Sequence, residues 1–165
     1  MQEIYKVNNI IEINYNCRNY CKIPYQNHKN GCPNFNKHIE CPPNSKLVEQ
    51  VFDFNKDLFF IIEEFDLKSH VNYMRQKHPE WTNAQLKNLL YWQSGVRKRL
   101  KNKVKSFINN KDMIYTLLPE SMGIMVINTA IKLNIPIEKD PVNKIYKIAL
   151  VGYKLNNKQI TFGVI

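Results

Sequence analysis

Four cysteines stand within one 25-residue stretch, and their thiols are the side chains with the clearest capacity for chemistry. They are Cys17, Cys21, Cys32 and Cys41, in the pattern C-x3-C-x10-C-x8-C. Their neighbours are mainly Arg, Asn, Lys, Gly and Pro, so the sequence offers no apolar face on which four separate thiols would pack. In a reducing compartment, such a group of thiols indicates metal ligands rather than disulfides. All four cysteines are therefore predicted to bind one metal centre.

The spacing of the cysteines favours an iron–sulfur cluster over zinc. Structural zinc sites take their ligands from paired C-x2-4-C knuckles, and only Cys17 and Cys21 have that spacing. Cys32 and Cys41 are each followed by proline, as is the cysteine that closes the bacterial ferredoxin motif. We therefore expect a [4Fe–4S] cluster on these four residues, with zinc as the alternative occupant. If only three of them bound iron, the open iron could take a substrate, and the protein would be an enzyme.

The residues around the last two cysteines resemble a known family. Residues 31–37 have the sequence GCPNFNK and residues 41–44 have the sequence CPPN, with two cysteines upstream. This arrangement resembles a family of uncharacterised proteins described as predicted metal-binding proteins, in which a Cys-Pro-x-Tyr-Gly-like turn precedes a Cys-Pro-Pro. Segments 120–124 and 147–152 are similar to the C-terminal part of that family. The resemblance covers most of the chain and implies that the cysteines bind a metal or a cluster.

One position departs from the pattern of that family. Asn36 stands where the family has the glycine of the turn. Asparagine is the non-glycine residue that most readily takes a positive φ. We therefore expect the turn to form here as well.

The remaining histidines and carboxylates are predicted to be surface or structural residues. His28 and His38 lie between the cysteines and could replace one of them in a mixed Cys/His zinc site, but four cysteines are available. Glu63, Glu64 and Asp66 end a predicted strand, where solvated charges are commoner than carboxylates that do acid–base work. Neither group is therefore assigned a chemical role.

Several enzyme classes lack sequence support. The chain has no G-x-x-x-x-G-K-[ST], G-x-G-x-x-G, G-x-S-x-G or H-E-x-x-H motif. The three-cysteine signature of radical SAM enzymes is also absent, because residues 22–24 contain no third cysteine. His70 and His78 are not paired with a nucleophile in the sequence. No catalytic residue is predicted.

The positive charge suggests an alternative function, binding of nucleic acid. The chain has 24 basic and 14 acidic residues, a formal charge of +10, and several lysines fall on a predicted helix around residues 97–105. Tyr15, Tyr20 and Tyr25 alternate with basic residues, which suits base stacking. However, 20 of the 24 basic residues are lysine, and arginine makes the bidentate contacts to phosphate and guanine. A zinc-stabilised nucleic-acid-binding module is therefore kept as the alternative.

Length and hydropathy predict a single cytoplasmic domain. A chain of 165 residues can form a core without help from a metal, and one domain over residues 1–165 is expected. The longest apolar run, residues 58–62, is too short to span a membrane, and residues 1–6 lack the features of a signal peptide. The expected partner is a redox protein or another protein that the sequence does not identify. No association with a membrane is expected.

Hydrophobic periodicity predicts an α+β (mixed α/β) fold, with one small sheet packed against helices and an irregular cysteine-rich metal loop over residues 14–44. Strands are expected at 4–13, 57–67 and 113–118, and in a C-terminal hairpin of 145–155 and 159–164. Helices are expected at 45–52 and 69–77, from the capping box at Thr82 to Asn110, and from Pro119 to Asn134. The helix at 45–52 would direct its positive end toward an anionic thiolate centre.

Overall fold

A four-stranded antiparallel sheet lies at the centre of the protein in the computed structural model, which describes residues 2–24, 29–138 and 140–156. The strands are β1 Ile4–Lys6, β2 Leu58–Asp66, β3 Met113–Thr116 and β4 Lys144–Tyr153. They follow the order β1-β2-β4-β3 across the sheet, and each neighbouring pair is antiparallel. The α+β class predicted from the sequence is confirmed.

Four α-helices and four short 3-10 helices accompany the sheet in the described part of the chain. The α-helices are α1 Leu67–Lys77, α2 Asn83–Leu86, α3 Gln93–Ile108 and α4 Val126–Lys132. The 3-10 helices are Tyr15–Lys22, Val48–Gln50, Leu89–Tyr91 and Pro119–Met122. Among these described helices, none has the length and apolar character needed to cross a membrane.

The pairing of β2 with β4 explains why both strands are almost continuously apolar. Their register aligns Phe60 with Leu150 and Ile61 with Ala149. Because successive side chains of a strand point to opposite faces, Phe60 and Leu150 enter one core cluster, while Ile61 and Ala149 enter another. When both faces of a sheet are covered, the odd and the even positions of a strand both need apolar residues. The buried strand predicted over residues 57–67 is therefore confirmed.

Helix α3 covers one face of the sheet with a stripe of apolar side chains. Val96, Leu100 and Val104 recur every four residues, which places them on one side of an α-helix, and all three are fully buried. Leu100 and Val104 share a core cluster with Ile61 and Ala149 of the sheet. The amphipathic pattern predicted for this part of the chain is thus confirmed.

The opposite face of the sheet is covered by N-terminal segments and by α4. Val48, Phe52 and Ala130 lie in this second core cluster. An isolated β-bridge between Ile13 and Ile124 attaches the start of the cysteine-rich segment to the same core. Apolar packing and backbone pairing therefore hold this segment against the sheet.

The single long helix predicted from Thr82 to Asn110 is wrong. The capping box of Thr82 with Gln85 is present, but α2 ends after one turn. Asn88 then accepts a hydrogen bond from Leu90 N at 3.0 Å and begins a 3-10 turn ahead of α3. A short polar side chain that bonds to nearby backbone favours caps and turns over helix interiors. Because the apolar periodicity continues across this break, the sequence pattern did not reveal it.

The helix predicted from Pro119 to Asn134 is divided in two by Gly123. Pro119 begins a 3-10 helix, as expected for a first helical position, and Gly123 ends it with a φ of +98°. The Tyr15 ring also lies so close that a Cβ at residue 123 would be 2.5 Å from its Cδ1 atom. Asn134 follows α4 with a φ of +56°, and it ends the helical region as predicted.

The helix predicted over residues 45–52 is reduced to the 3-10 turn Val48–Gln50. Ser45, the first residue of the expected helix, donates a hydrogen bond to Ser121 O at 2.6 Å. A single turn has little dipole, so the expected positive helix end is not found among the described residues around the cysteines. The second arm of the predicted C-terminal hairpin, 159–164, lies outside the described residues.

Glu63 is buried under α3, which corrects its assignment to solvated strand-end charges. Its side chain is 6% exposed and forms ion pairs with Arg99 and Lys103 of α3. Lys103 also reaches Glu3, beside β1, at 2.6 Å. Burial acts to raise the pKa of Glu63, but hydrogen bonds to the two cations outweigh it and lower the pKa. The carboxylate therefore joins α3 to the sheet.

Replacing Glu63 with glutamine is expected to lower the free energy of unfolding at pH 7 by about 1.5–3 kcal/mol, the usual contribution of hydrogen bonds to charged groups. Because the folded-state pKa is depressed, this stabilisation is complete above the ordinary pKa of 4.5 and is lost as the pH falls through the folded pKa. Urea unfolding of both proteins should show the difference shrinking as the pH is lowered below 4.5. A difference that does not change with pH would contradict this account.

Glu64→Gln is the matched control for that experiment. Glu64 follows Glu63 on β2 and pairs with Lys144 at 2.6 Å, but its side chain is 35% exposed and that of Lys144 is 50% exposed. Exposed ion pairs contribute little, so this substitution should cost less than about 1 kcal/mol.

Candidate metal centre

The first two cysteines lie on the 3-10 helix Tyr15–Lys22, a regular element inside the segment that was expected to be irregular. Asn14 caps this helix with its side chain, and its N–H donates to Gly123 O at 2.8 Å. Residues three apart align in a 3-10 helix, so residues four apart point about 120° away from each other. Cys17 and Cys21 therefore face different directions, whereas an α-helix would place the same spacing on one face.

Cys17 is directed into the protein and is 2% exposed. Its thiol donates to Glu120 O at 3.3 Å and lies 3.6 Å from Ile124 O. Burial raises the pKa of this thiol, and the nearby Glu120 carboxylate raises it further. A thiol that donates to carbonyl groups keeps its proton. In this position Cys17 packs in the core, and it can bind a metal only after it leaves these two carbonyls.

Cys21 and Cys32 are brought together by a direct backbone contact. Cys32 N donates to Cys21 O at 2.7 Å. Gly31 permits this approach, because it has a φ of +79° and because a Cβ there would lie 2.5 Å from Cys21 O. The dihedral angle and the lack of space both require glycine. The sequence indicated Gly31 only as part of a family-like turn.

Cys32 and Cys41 lie near the two ends of a closed loop. Asn36 N donates to Pro42 O at 2.8 Å, and Ser45 N donates to Cys41 O at 3.0 Å. Asn36 has a φ of +59°, which is the left-handed conformation expected for an asparagine in this turn. The hydrogen bond between Asn36 and Pro42 closes the loop, so Cys41 lies on the same side of the loop as Cys32.

Arg18 ties this loop to the 3-10 helix that carries the first two cysteines. Its guanidinium donates to Pro43 O at 2.9 Å and to Ser45 O at 2.7 Å. Ser45 Oγ in turn donates to Ser121 O at 2.6 Å. Since Pro43 lies two residues after Cys41, these bonds position the Cys41 backbone against the helix. No motif in the sequence pointed to Arg18 in this role.

Cys21, Cys32 and Cys41 are half-buried, and neighbouring thiols act on the pKa of Cys21 and Cys41. Burial raises the pKa of Cys21, and the neighbouring Cys32 and Cys41 raise it further. Burial also raises the pKa of Cys41, as do Cys32 and Glu40, while Arg97 acts in the opposite direction. A bound cation would favour the ionised form of Cys21 and Cys41, which burial and the neighbouring thiols disfavour.

The thiols as placed do not converge on one point. Among residues 2–24, 29–138 and 140–156, no three His, Cys, Asp or Glu side chains are arranged to hold a metal ion. A single metal would require the thiols of Cys21, Cys32 and Cys41 to turn toward one another on a backbone already joined by hydrogen bonds. All four cysteines are free thiols. The donor chemistry thus fits a thiophilic metal at three of them, whereas Cys17 would first have to break its contacts with the core.

The other candidates weighed from the sequence lie apart from this cluster or outside the described residues. His38 is exposed, and His28 and Tyr25 are not among the described residues. Asp66 caps α1 through its side chain. His70 packs against an aromatic ring of β2. None of these described side chains adds a ligand to the cysteines.

A groove with basic walls borders the cysteine cluster on the side of Cys41. Its charged lining residues are Glu40, Arg97, Lys98 and Lys101. The sequence pattern indicated the lysines only as part of a basic helix around residues 97–105, and it did not indicate a role for Glu40 or Arg97. Their position beside Cys41 follows from the packing of α3 next to the cysteine segment, which no local signal reveals.

Comparison with known proteins adds no relative to these observations. No protein-family model, curated protein or solved structure matches the chain. The candidate centre is therefore defined by its own geometry, which is a buried thiol on the core side and three half-buried thiols on a hydrogen-bonded loop.

Proposed function

We propose that this protein binds a thiophilic metal centre through Cys21, Cys32 and Cys41. The observation that carries the proposal is the direct backbone contact between two of these cysteines, in which Cys32 N donates to Cys21 O at 2.7 Å. Cys32 and Cys41 act to raise the pKa of Cys21, and Cys32 acts to raise that of Cys41, which supports the same set. Cys17 becomes the fourth ligand only in a state where its thiol has left its two carbonyl partners.

We infer that the occupant is an iron–sulfur cluster, [4Fe–4S], used in electron transfer or as an accessory to a redox or sulfur-transfer reaction. The prolines after Cys32 and Cys41 support this choice, because each lacks a backbone donor and stiffens the chain beside a ligand. Pro42 is buried, so it also excludes water next to Cys41. A centre held by three cysteines leaves one position open for an external ligand, as an enzyme would need.

The second candidate function is a zinc-stabilised module that binds nucleic acid. The basic groove beside Cys41 favours it, because Arg97, Lys98 and Lys101 are exposed there. Within the described residues none of the three forms an ion pair, so they are available to phosphate groups. Glu40 in the same groove weakens this attraction, which is why the iron–sulfur proposal stands first.

Anaerobic purification followed by metal analysis tests the proposal. The protein is expected to be brown, to absorb in the region of thiolate-to-iron charge transfer, and to contain about four iron and four sulfide ions per chain. A colourless protein with about one zinc ion per chain would support the second candidate instead, as would steeply salt-dependent retention on heparin. Protein that takes up neither metal after reconstitution would contradict both candidates.

A further inference from the structure

A half-open cavity of about 360 Å³ lies between β4, the first residues of α3 and the first residues of α4. It falls within the range of about 300–1,000 Å³ typical of small-molecule sites. Its walls are mainly apolar and aromatic, and include Trp92, Val126, Ile127, Ile137 and Tyr146. Such walls suit a ligand with an apolar body.

Two side chains of opposite charge, Glu120 and Lys147, also line this cavity. Within the described part of the chain, neither forms an ion pair. Of the other charged lining residues, Lys144 pairs with Glu64 at 2.6 Å, and Glu138 is exposed and accepts a backbone N–H at 2.9 Å. Glu120 and Lys147 lie close enough to interact electrostatically, so they are the pair that a ligand with two charges could contact together.

Of the two charged residues, Glu120 is exposed to solvent and Lys147 is the more buried. Burial lowers the pKa of the Lys147 ammonium, so a group of opposite charge beside it would stabilise its charged form. Lys147 is half-buried and lies near Glu120 without pairing with it. A ligand with two charges would satisfy both residues at once.

The beginning of α3 adds a second attraction for a negative group. Trp92 and Gln93 line the cavity at this end of the 16-residue helix, and no side chain caps it. Uncapped N–H groups and the positive end of the helix dipole favour a carboxylate. The cavity thus offers a place for a carboxylate near Lys147 and α3, and a place for an ammonium near Glu120.

We propose that this cavity binds a free amino acid with an apolar or aromatic side chain. The ammonium would pair with Glu120, the carboxylate with Lys147, and the side chain would pack against the apolar walls. An apolar amine or an apolar acid alone would leave one charge without a partner. The proposal goes beyond the metal centre and does not depend on it.

Calorimetric titration of the full chain with L-phenylalanine, 2-phenylethylamine and 3-phenylpropanoate tests this ligand class. The amino acid is expected to bind at least about tenfold more tightly than either analogue, because each analogue lacks one charged contact. The proposal is overturned if either analogue binds as tightly as phenylalanine. It is also overturned if phenylalanine, leucine and methionine all fail to bind at millimolar concentration.

Variants of the lining residues test whether the ligand binds in this cavity. Glu120→Gln and Lys147→Met are each expected to weaken binding at least about tenfold. Lys132→Met is the matched control, because Lys132 does not line the cavity and is paired with Glu12 at 2.8 Å, and its affinity should stay within about twofold of wild type. Metal content is measured in every sample, so a change in the metal centre is distinguished from a change in this cavity.

One further variant keeps both charged residues and reduces only the volume of the cavity. Ile127 is 55% exposed on α4 and lines the cavity, so Ile127→Trp should fill the cavity without disturbing the core. We expect it to abolish binding while the circular dichroism spectrum stays unchanged. If the charge variants fail to fold, this variant still tests whether the ligand binds in the cavity. Unchanged affinity in Ile127→Trp would overturn the proposal.

Discussion

Protein in which Cys32 or Cys41 is replaced by serine is expected to retain less than about a tenth of the wild-type metal content. Each is one of three thiols proposed as ligands, and losing one opens the centre to water. Cys17→Ala is expected to keep the metal, because this thiol is buried and donates to Glu120 O at 3.3 Å. Elemental analysis of the desalted proteins, prepared without oxygen, measures the difference directly.

The comparison among these variants also decides how many cysteines bind the metal. Cys17→Ala should lose about 1 kcal/mol of stability, the usual contribution of one hydrogen bond, and its circular dichroism spectrum should match wild type. If the folded Cys17→Ala protein loses its metal, the ligand set contains all four cysteines. If Cys32→Ser or Cys41→Ser keeps the full metal content, that residue is not a ligand.

Gly31→Ala is expected to weaken metal binding at least about tenfold although it removes no ligand. A Cβ at residue 31 would lie 2.5 Å from Cys21 O, and the residue has a φ of +79°, which alanine adopts only with strain. The substitution therefore pushes Cys32 away from Cys21 and disturbs the 2.7 Å hydrogen bond between them. Competition with a chromophoric chelator measures the apparent affinity.

Gly95→Ala is the matched control for this experiment. Gly95 lies on α3, and the nearest atom to a Cβ there is Arg99 Nη1 at 3.8 Å, an ordinary contact. Alanine in a helix is favoured over glycine by about 0.5–1 kcal/mol, so this variant should be more stable and should bind metal as the wild type does. Equal affinity in Gly31→Ala and Gly95→Ala would show that the backbone contact at Cys21 does not position the ligands.

The two proposed sites meet at Glu120. Its backbone carbonyl accepts the hydrogen bond from the Cys17 thiol, and its side chain lines the cavity. The 3-10 helix Pro119–Met122, which carries Glu120, is in turn ended by Gly123 beneath the ring of Tyr15. A structural change in one site can therefore be transmitted to the other through this 3-10 helix.

Local patterns predicted β2, β3 and β4, but the strand expected over residues 4–13 is limited to Ile4–Lys6, and three of the expected helices are shortened or divided. The apolar run 58–62 predicted β2, and the residue before α2, Thr82, formed its expected capping box. They failed where a polar side chain or a glycine interrupts a continuous apolar period, as Asn88 and Gly123 do. Periodicity measures which side of a helix is apolar, and it does not detect a change in backbone dihedral angles.

By itself, the sequence determined the α+β class, the positions of the main strands and the concentration of thiols in residues 17–41, because these depend on residue type and spacing. Only the tertiary structure decided that Cys17 faces the core, that Glu63 is buried beneath α3, and that Glu120 and Lys147 share a cavity. Each of these depends on contacts between residues far apart in the chain, and local periodicity contains no information about them.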